Sequence, residues 1–534
     1  LSDDPKLFLG VSFLGVKNKM RRGYWLQCVL VLAVFLVFTH RAQAQLTAER
    51  VVVVAAANNP ESREVAEAYC QFRQFPLERI VEVEFPAGVT LSRGVWEDSL
   101  RTKIAAQIQA IDATQTVTDV VLAYGTPLAV AAWEDDRELK QWELYYQKAM
   151  DDGIRRLNAA LKILGQLGGQ EPASVQLPIN LADLRLIFQQ QIELAQKGAA
   201  GKPAEEQQVA TAQLQNQVQA VAGLFPFMNS LQQQIQAGGG EASANMQQQL
   251  QYLRGRSEVL TQTIQYLEKM PASFEREATM IALLEQGGGL LDVLTWLQRQ
   301  MDLVQMNDSM ASLDSEIALL FWGEYRRIGV VPNFLNPAFD GSPLRNAYRT
   351  LKVSRIDGPT KEVAKQLIER TKAAEAITDL QGNVYLDLRG IQSGDPMLVQ
   401  TETWLRAVGE QLKAVDGLKV EMESSAKLFQ PGQCPDALIY MGWYSLGKYI
   451  DACTFKPGSI AYHLVPGDAL RLRDAEQQGW CRNLLEAGAT RVVGSVGEAV
   501  PVLLTIDPTA KQTPLAINIV TAELSDGMII FAVP

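Results

Sequence analysis

The stretch RVVVVAAANNPESREVAEAYCQFRQF, residues 50–75, holds an unbroken β-branched run followed by an amphipathic one. A run apolar on every position reads as a strand buried on both faces, and the helix pattern opening just after Pro60 supplies one of the covers. RIVEVEF, VWEDSLRTKIAAQIQAI and TDVVLAYG repeat the alternation up to residue 125. Far downstream LKVSRIDG, NVYLDLRG, LKVEMES, ALIYMGWYS, SIAYHLV and RVVGSVG continue it, with helices expected near 360–376, 397–414 and 479–487. Strands alternating with helices give an α/β fold, a mostly parallel doubly wound sheet.

Between the two blocks the composition changes. Glutamine supplies 29 of residues 141–310, and histidine and cysteine are absent there. Met246, Leu250, Leu253, Ser257, Leu260, Ile264 and Leu267 step alternately by four and three, as do Met150, Ile154, Leu157, Leu161 and Leu164. Such seams need facing helices, so an antiparallel bundle or coiled-coil arm is expected to interrupt the sheet. The division read from the sequence is 1–44, over-extended start and signal peptide; 45–132, first part of the α/β domain; 133–309, helical insertion; 310–534, second part.

The leader reading rests on Met20, the basic pair Arg21 and Arg22, an apolar run from Trp25 to Phe38, and Ala42-Gln43-Ala44 as cleavage site. Cleavage would start the chain at Gln45, and with six basic and two acidic side chains before it the formal charge would move from −11 to −15. A secreted or periplasmic protein without a stable membrane span is expected. Acidic charge without clustered Lys and Arg argues against nucleic acid as partner. With His463 the one histidine after the leader, and no CxxC spacing, neither a zinc site nor a cofactor is expected.

In an open parallel sheet a ligand sits beyond the carboxyl ends of the strands. His463 lies toward the end of SIAYHLV and Cys481 in the first turn of the following helix, so both belong at that edge. A thiol there feels the positive end of the helix dipole, which favours thiolate. Equally, Trp480, Cys481, Leu484, Leu485 and Gly488 form one helix face, which would turn Cys481 inward as a small hydrophobe. Asp314 and Glu316, Arg355 and Asp357, and Asp387 and Arg389 recur at other strand ends, either as cleft-lining groups or as pairs that neutralise each other. Cys434 and Cys453 should both lie at the amino edge, where an oxidising compartment would join them.

The runs GWYSLGKYIDACTFKPGSIAYHLVPGDALRLRD and GWCRNLLEAGATRVVGSVGE resemble a family of secreted bacterial proteins that comes with no established activity. The residues that carry the resemblance are Gly442, Trp443, Tyr444, Gly458, His463, Leu472, Arg473, Trp480, Cys481, Gly488, Gly494 and Glu498. Where that family continues Glu-Pro-Tyr, this chain has Glu498-Ala499-Val500-Pro501. More distantly the strand plan is similar to the gingipain and caspase-like cysteine peptidases, in which a His-Gly ends one strand and the nucleophilic cysteine the next. Here GWYS takes the place of His-Gly and His463 that of the cysteine. Two functions from different classes follow. One is a non-catalytic envelope protein that binds a protein or peptide partner through the sheet cleft, and through the helical arm as well. The other is a cysteine hydrolase with Cys481 as nucleophile, His463 as base, and Trp443, Tyr444 and Glu498 lining the pocket.

Overall fold

Val51–Val54 have no exposed surface, as a strand covered on both faces requires. The computed structural model describes residues 46–534 except 135–136, 177–180, 238–240, 307–308, 330, 426, 446, 498–501, 507–516, 522, 525–527 and 533. The leader read at 1–44 and the cleft residue Glu498 lie outside the described residues.

Ten strands form one sheet: β1 Val51–Ala56, β2 Ile80–Val83, β3 Asp119–Ala123, β4 Lys352–Ile356, β5 Gly382–Asp387, β6 Leu418–Glu423, β7 Cys434–Trp443, β8 Cys453–Leu464, β9 Arg491–Ser495 and β10 Met528–Phe531. Their order is β6-β5-β7-β8-β9-β10-β4-β3-β1-β2. Helices Pro60–Arg73, Lys361–Glu375, Pro396–Leu412 and Trp480–Glu486 cross between successive strands. The first opens with Asn59 accepting from the Glu61 N–H and proline in the first turn, where a missing N–H costs nothing.

β6, β5, β7, β8 and β9 are mutually parallel, and so are β4, β3, β1 and β2. Arg473, beyond the carboxyl end of β8, reaches Asp357, beyond the carboxyl end of β4. At the opposite edge Arg370, late in the helix after β4, donates to the carbonyls of Leu485 and Ala489 just before β9. Both sets therefore point the same way.

They are joined by β10, from the apolar run MIIFA at 528–532, which is not among the strands expected from the sequence. It runs antiparallel to β9 over four pairs, Val492 with Phe531 to Ser495 with Met528, and meets β4 through the single pair Phe531 with Arg355, a bridge of parallel type; one pair is too short to set a strand direction, which the Arg473 and Arg370 contacts set instead. The terminal Pro534 carbonyl then accepts from Arg73 Nε at 2.8 Å. The divergent-looking tail thus ends in a central strand.

Between Val130 and Ala311 run the helices Arg137–Gly168, Leu181–Ala200, Ala204–Ala222, Leu224–Ala237, Glu241–Glu268 and Phe274–Gln305. The seam residues Met150, Ile154, Leu157, Leu161 and Leu164 are buried, as are Leu250, Leu253, Leu260 and Leu267. The chain leaves and returns on one two-residue ladder, Ala129 with Ser312 and Val130 with Ala311. Phe274–Gln305 is long and apolar enough to cross a membrane, yet its Met280, Leu294 and Leu297 are fully buried in the helical core. It kinks at Gly289, whose φ of 71° faces Gly223 at φ 70°. A Cβ on Gly289 would lie 2.5 Å from the Gly223 nitrogen, so two backbones meet where no side chain fits.

Candidate functional site

β5, β7 and β8 lie side by side, and their register places Gly442 opposite Asp387 on one neighbour and His463 on the other. Side chains at paired positions share a face, and so does Tyr440, two residues before Gly442. A Cβ on Gly442 would stand 2.9 Å from Asp387 Cβ, His463 Nδ1 and Tyr440 Oη alike. The missing side chain is what lets the Tyr440 ring lie along its own strand and put its hydroxyl between the other two. Tyr440 Oη is 3.0 Å from His463 Nδ1 and 3.3 Å from Asp387 Oδ2, which also accepts the Phe429 N–H at 3.2 Å.

The protons in this row can be assigned from its far end. His463 Nε2 meets the Tyr444 carbonyl, which only accepts, so Nε2 carries the proton and a neutral ring leaves Nδ1 as acceptor. Tyr440 has one hydrogen and two neighbours that can take it: an ionised Asp387 accepts it at Oδ2, and a protonated Asp387 frees it for Nδ1. Burial lowers His463 to about 3 and raises Asp387 to about 7, so both favour the neutral row. Trp480 covers it, its ring stacked on His463 with centroids 3.5 Å apart and planes within 4°.

At the end of β7 the chain makes a strained turn. Tyr444 and Ser445 have φ of 82° and 55°, left-handed values that cost about 1–3 kcal/mol each in non-glycine residues. The turn sends the Tyr444 carbonyl inward to His463 and its ring outward, 47% exposed. Trp480 Nε1 holds the Ser445 carbonyl at 3.1 Å. The Arg389 guanidinium lies over the Tyr444 ring, 3.1 Å from its centroid.

The geometry does not pair His463 with Cys481. Both ring nitrogens of His463 are engaged elsewhere, and among the described residues no hydrogen bond joins it to Cys481. Cys481 is buried, with Sγ 2.9 Å from where a Cβ on Gly494 would sit. Asp468 accepts from the backbone N–H groups of Trp480 and Cys481. The helix start thus already holds a carboxylate, and burial first, then Asp468 and Asp357, push the thiol well above its ordinary range. The expected dipole effect is outweighed, and Cys481 acts as a small core residue.

Other expected cleft residues are also relocated. Trp443 points to the opposite face of the sheet from His463, as alternation along β7 demands, and donates to Glu402 Oε2 at 3.1 Å. Arg355, Asp314 and Asp357 are buried beneath the carboxyl edge instead of lining it. Arg355 Nη2 donates to Asp314 Oδ2 at 2.6 Å and to the Pro127 carbonyl at 2.9 Å, while Nη1 reaches Thr126 Oγ1 at 2.9 Å and Asp357 Oδ2 at 3.2 Å. Glu316 is held by Arg93 and by Trp96 Nε1. Asp387 and Arg389 do not pair: Asp387, the last residue of β5, turns inward to Tyr440, whereas Arg389, in the loop beyond the strand, lies over Tyr444. Sequence reading missed Tyr440 as a site residue, although Gly442, among bulky neighbours in IYMGWY, is the visible sign of its close packing.

Cys434 and Cys453 are directly opposed at the starts of β7 and β8, both buried, as thiols in mutual hydrogen-bond contact. Among the described residues no three His, Cys, Asp or Glu side chains are grouped to hold a metal ion. No protein-family model, curated protein or solved structure matches the chain.

Proposed function

We propose that the protein is a secreted or periplasmic envelope protein that binds a ligand or protein partner at the carboxyl edge of its sheet, around Tyr444. The observation that carries this reading is the Tyr444 turn. Two strained residues and a buried hydrogen-bonded row hold a large aromatic ring out in solvent, at the edge where parallel sheets receive ligands. Strain kept at one place, with an exposed aromatic as its product, favours recognition over packing. The leader-like Met20–Ala44 supports export, and the strand plan supports a distant gingipain- or caspase-like ancestry without the peptidase cysteine. The six helices are proposed as an inserted arm offering a second contact. Tyr252, Val259 and Tyr266, spaced by seven on Glu241–Glu268, are exposed at 68%, 63% and 42%.

A thermal-shift screen with peptides and small molecules of varied charge tests the site. Tyr444→Ala should abolish the stabilisation given by any ligand found, whereas Tyr252→Ala should retain it. A set of ligands whose effects all survive Tyr444→Ala would place recognition elsewhere.

The compartment has its own test in unreduced mass mapping of the exported protein. The map should begin at Gln45 and join Cys434 to Cys453, each thiol losing one proton and one electron to a cellular disulfide donor. In the chain-entropy model that loop is worth about 3 kcal/mol. Cys70 and Cys481, both buried, should be alkylated only after unfolding. A retained leader, or a Cys481 linkage, counts against export or against this arrangement of cysteines.

A further inference from the structure

We infer that the ligand received at Tyr444 presents an oxyanion, a carboxylate or phosphate group, to Arg389; this deepens the binding reading above and rests on it. Arg389 lies two residues beyond the end of β5, and its guanidinium stacks on the Tyr444 ring without making a hydrogen bond or ion pair among the described residues. Its Nε is buried without a partner. Stacking uses the face of a guanidinium and leaves its N–H groups free in the plane, the geometry that takes a carboxylate or phosphate through two parallel bonds.

Two carboxylates tied to this strand end, Glu402 and Asp387, are already committed. Glu402 accepts the backbone N–H groups of Arg389 and Gly390, Trp443 Nε1 and Arg406 Nη2, so it orders the loop without neutralising the Arg389 side chain. Asp387 is turned to Tyr440. On the far side of the turn Lys448 and Arg471 are exposed and likewise make no ion pair, with Arg471 Nη1 3.4 Å from where a Cβ on Gly447 would sit. In a chain of net charge −11, a turn edged by three cations, of which Arg389 and Lys448 have no ion pair among the described residues and Arg471 feels only the field of the buried Asp468, is a local positive surface over an aromatic platform.

Phenylglyoxal modification followed by peptide mapping tests this on the intact protein. Arg389 should be labelled readily, while the ion-paired Arg93 and Arg355 stay protected. Inorganic phosphate or acetate, at ionic strength matched with chloride, should slow labelling of Arg389 severalfold and leave the exposed Arg299 on the helical segment unchanged. The phosphate and acetate arms then tell which oxyanion the site prefers. An unreactive Arg389, equal slowing by neutral acetamide, or equal protection of Arg299 would overturn the inference. Stabilisation by a neutral ligand that is lost in Tyr444→Ala would keep the binding reading and remove only the oxyanion.

Discussion

Arg355→Ala should lose about 3–5 kcal/mol of folding stability, the cost of leaving buried charges without their partner. That is a large share of the 5–15 kcal/mol that holds an ordinary domain. The size follows from the surroundings of the side chain. It is fully buried and directs four of its hydrogen bonds to Asp314, Asp357, Thr126 and Pro127, groups drawn from three separate segments beneath the carboxyl edge. Asp357 keeps Arg473 and the Gly358 N–H, so Asp314 suffers most. Arg355→Leu combined with Asp314→Leu should therefore recover part of the loss, since an apolar pair of similar volume avoids the stranded carboxylate. Guanidinium unfolding monitored by tryptophan fluorescence measures both. A single variant within about 1 kcal/mol of the parent would show that water enters the cluster and screens it.

The second large effect is in the pH dependence of stability. Asp387 is raised to about 7 in the folded protein by burial, which outweighs its bonds from Phe429 and Tyr440. The folded state thus holds a proton that the unfolded chain gives up near pH 4. Its contribution to stability is complete below about 4 and is lost as pH rises to about 7, on the order of 3–4 kcal/mol in all. His463 has the opposite sign. It is lowered to about 3, so the unfolded chain binds the extra proton and stability rises between about pH 3 and 6.5. The two slopes oppose each other across nearly the same window, and the parent should look almost flat from this row. Asp387→Asn removes one of them. The stability of the variant minus that of the parent should climb between pH 4 and 7 by on the order of 3–4 kcal/mol, whatever constant offset the lost Phe429 bond adds. Chemical unfolding at matched ionic strength from pH 4 to 8 gives this difference directly. A difference independent of pH would mean that Asp387 is ionised throughout and that the row is not neutral.

The pattern RVVVVAAAN, the later β-branched runs and the heptad seams were readable because each reports a local periodicity. Burial on both faces, one face or one stripe is set by backbone geometry within a few residues, so nine of the sheet strands and the helical segment are visible in the letters. The placement of Cys434 against Cys453 followed from the same alternation carried across one crossover. Asp387, Arg355 and His463 were visible as polar residues at strand ends, yet not what they face. The row Asp387, Tyr440 and His463 joins positions 53 and 23 residues apart through the register of three strands, and a one-residue slip in any of them would turn its member to the other face. The same alternation turns Trp443 away from the site that its neighbour Tyr444 marks. Cys481 had the position of a nucleophile, and only packing put Asp468 at its helix start and Gly494 against its sulfur. The run MIIFA carries the local signal of a buried strand, but its place as the central strand β10 is decided only by the gap that two parallel sets of strands leave between β9 and β4. Element type is a short-range property of this chain, whereas the charge state and partners of its buried polar groups depend on contacts that exist only once distant strands have paired.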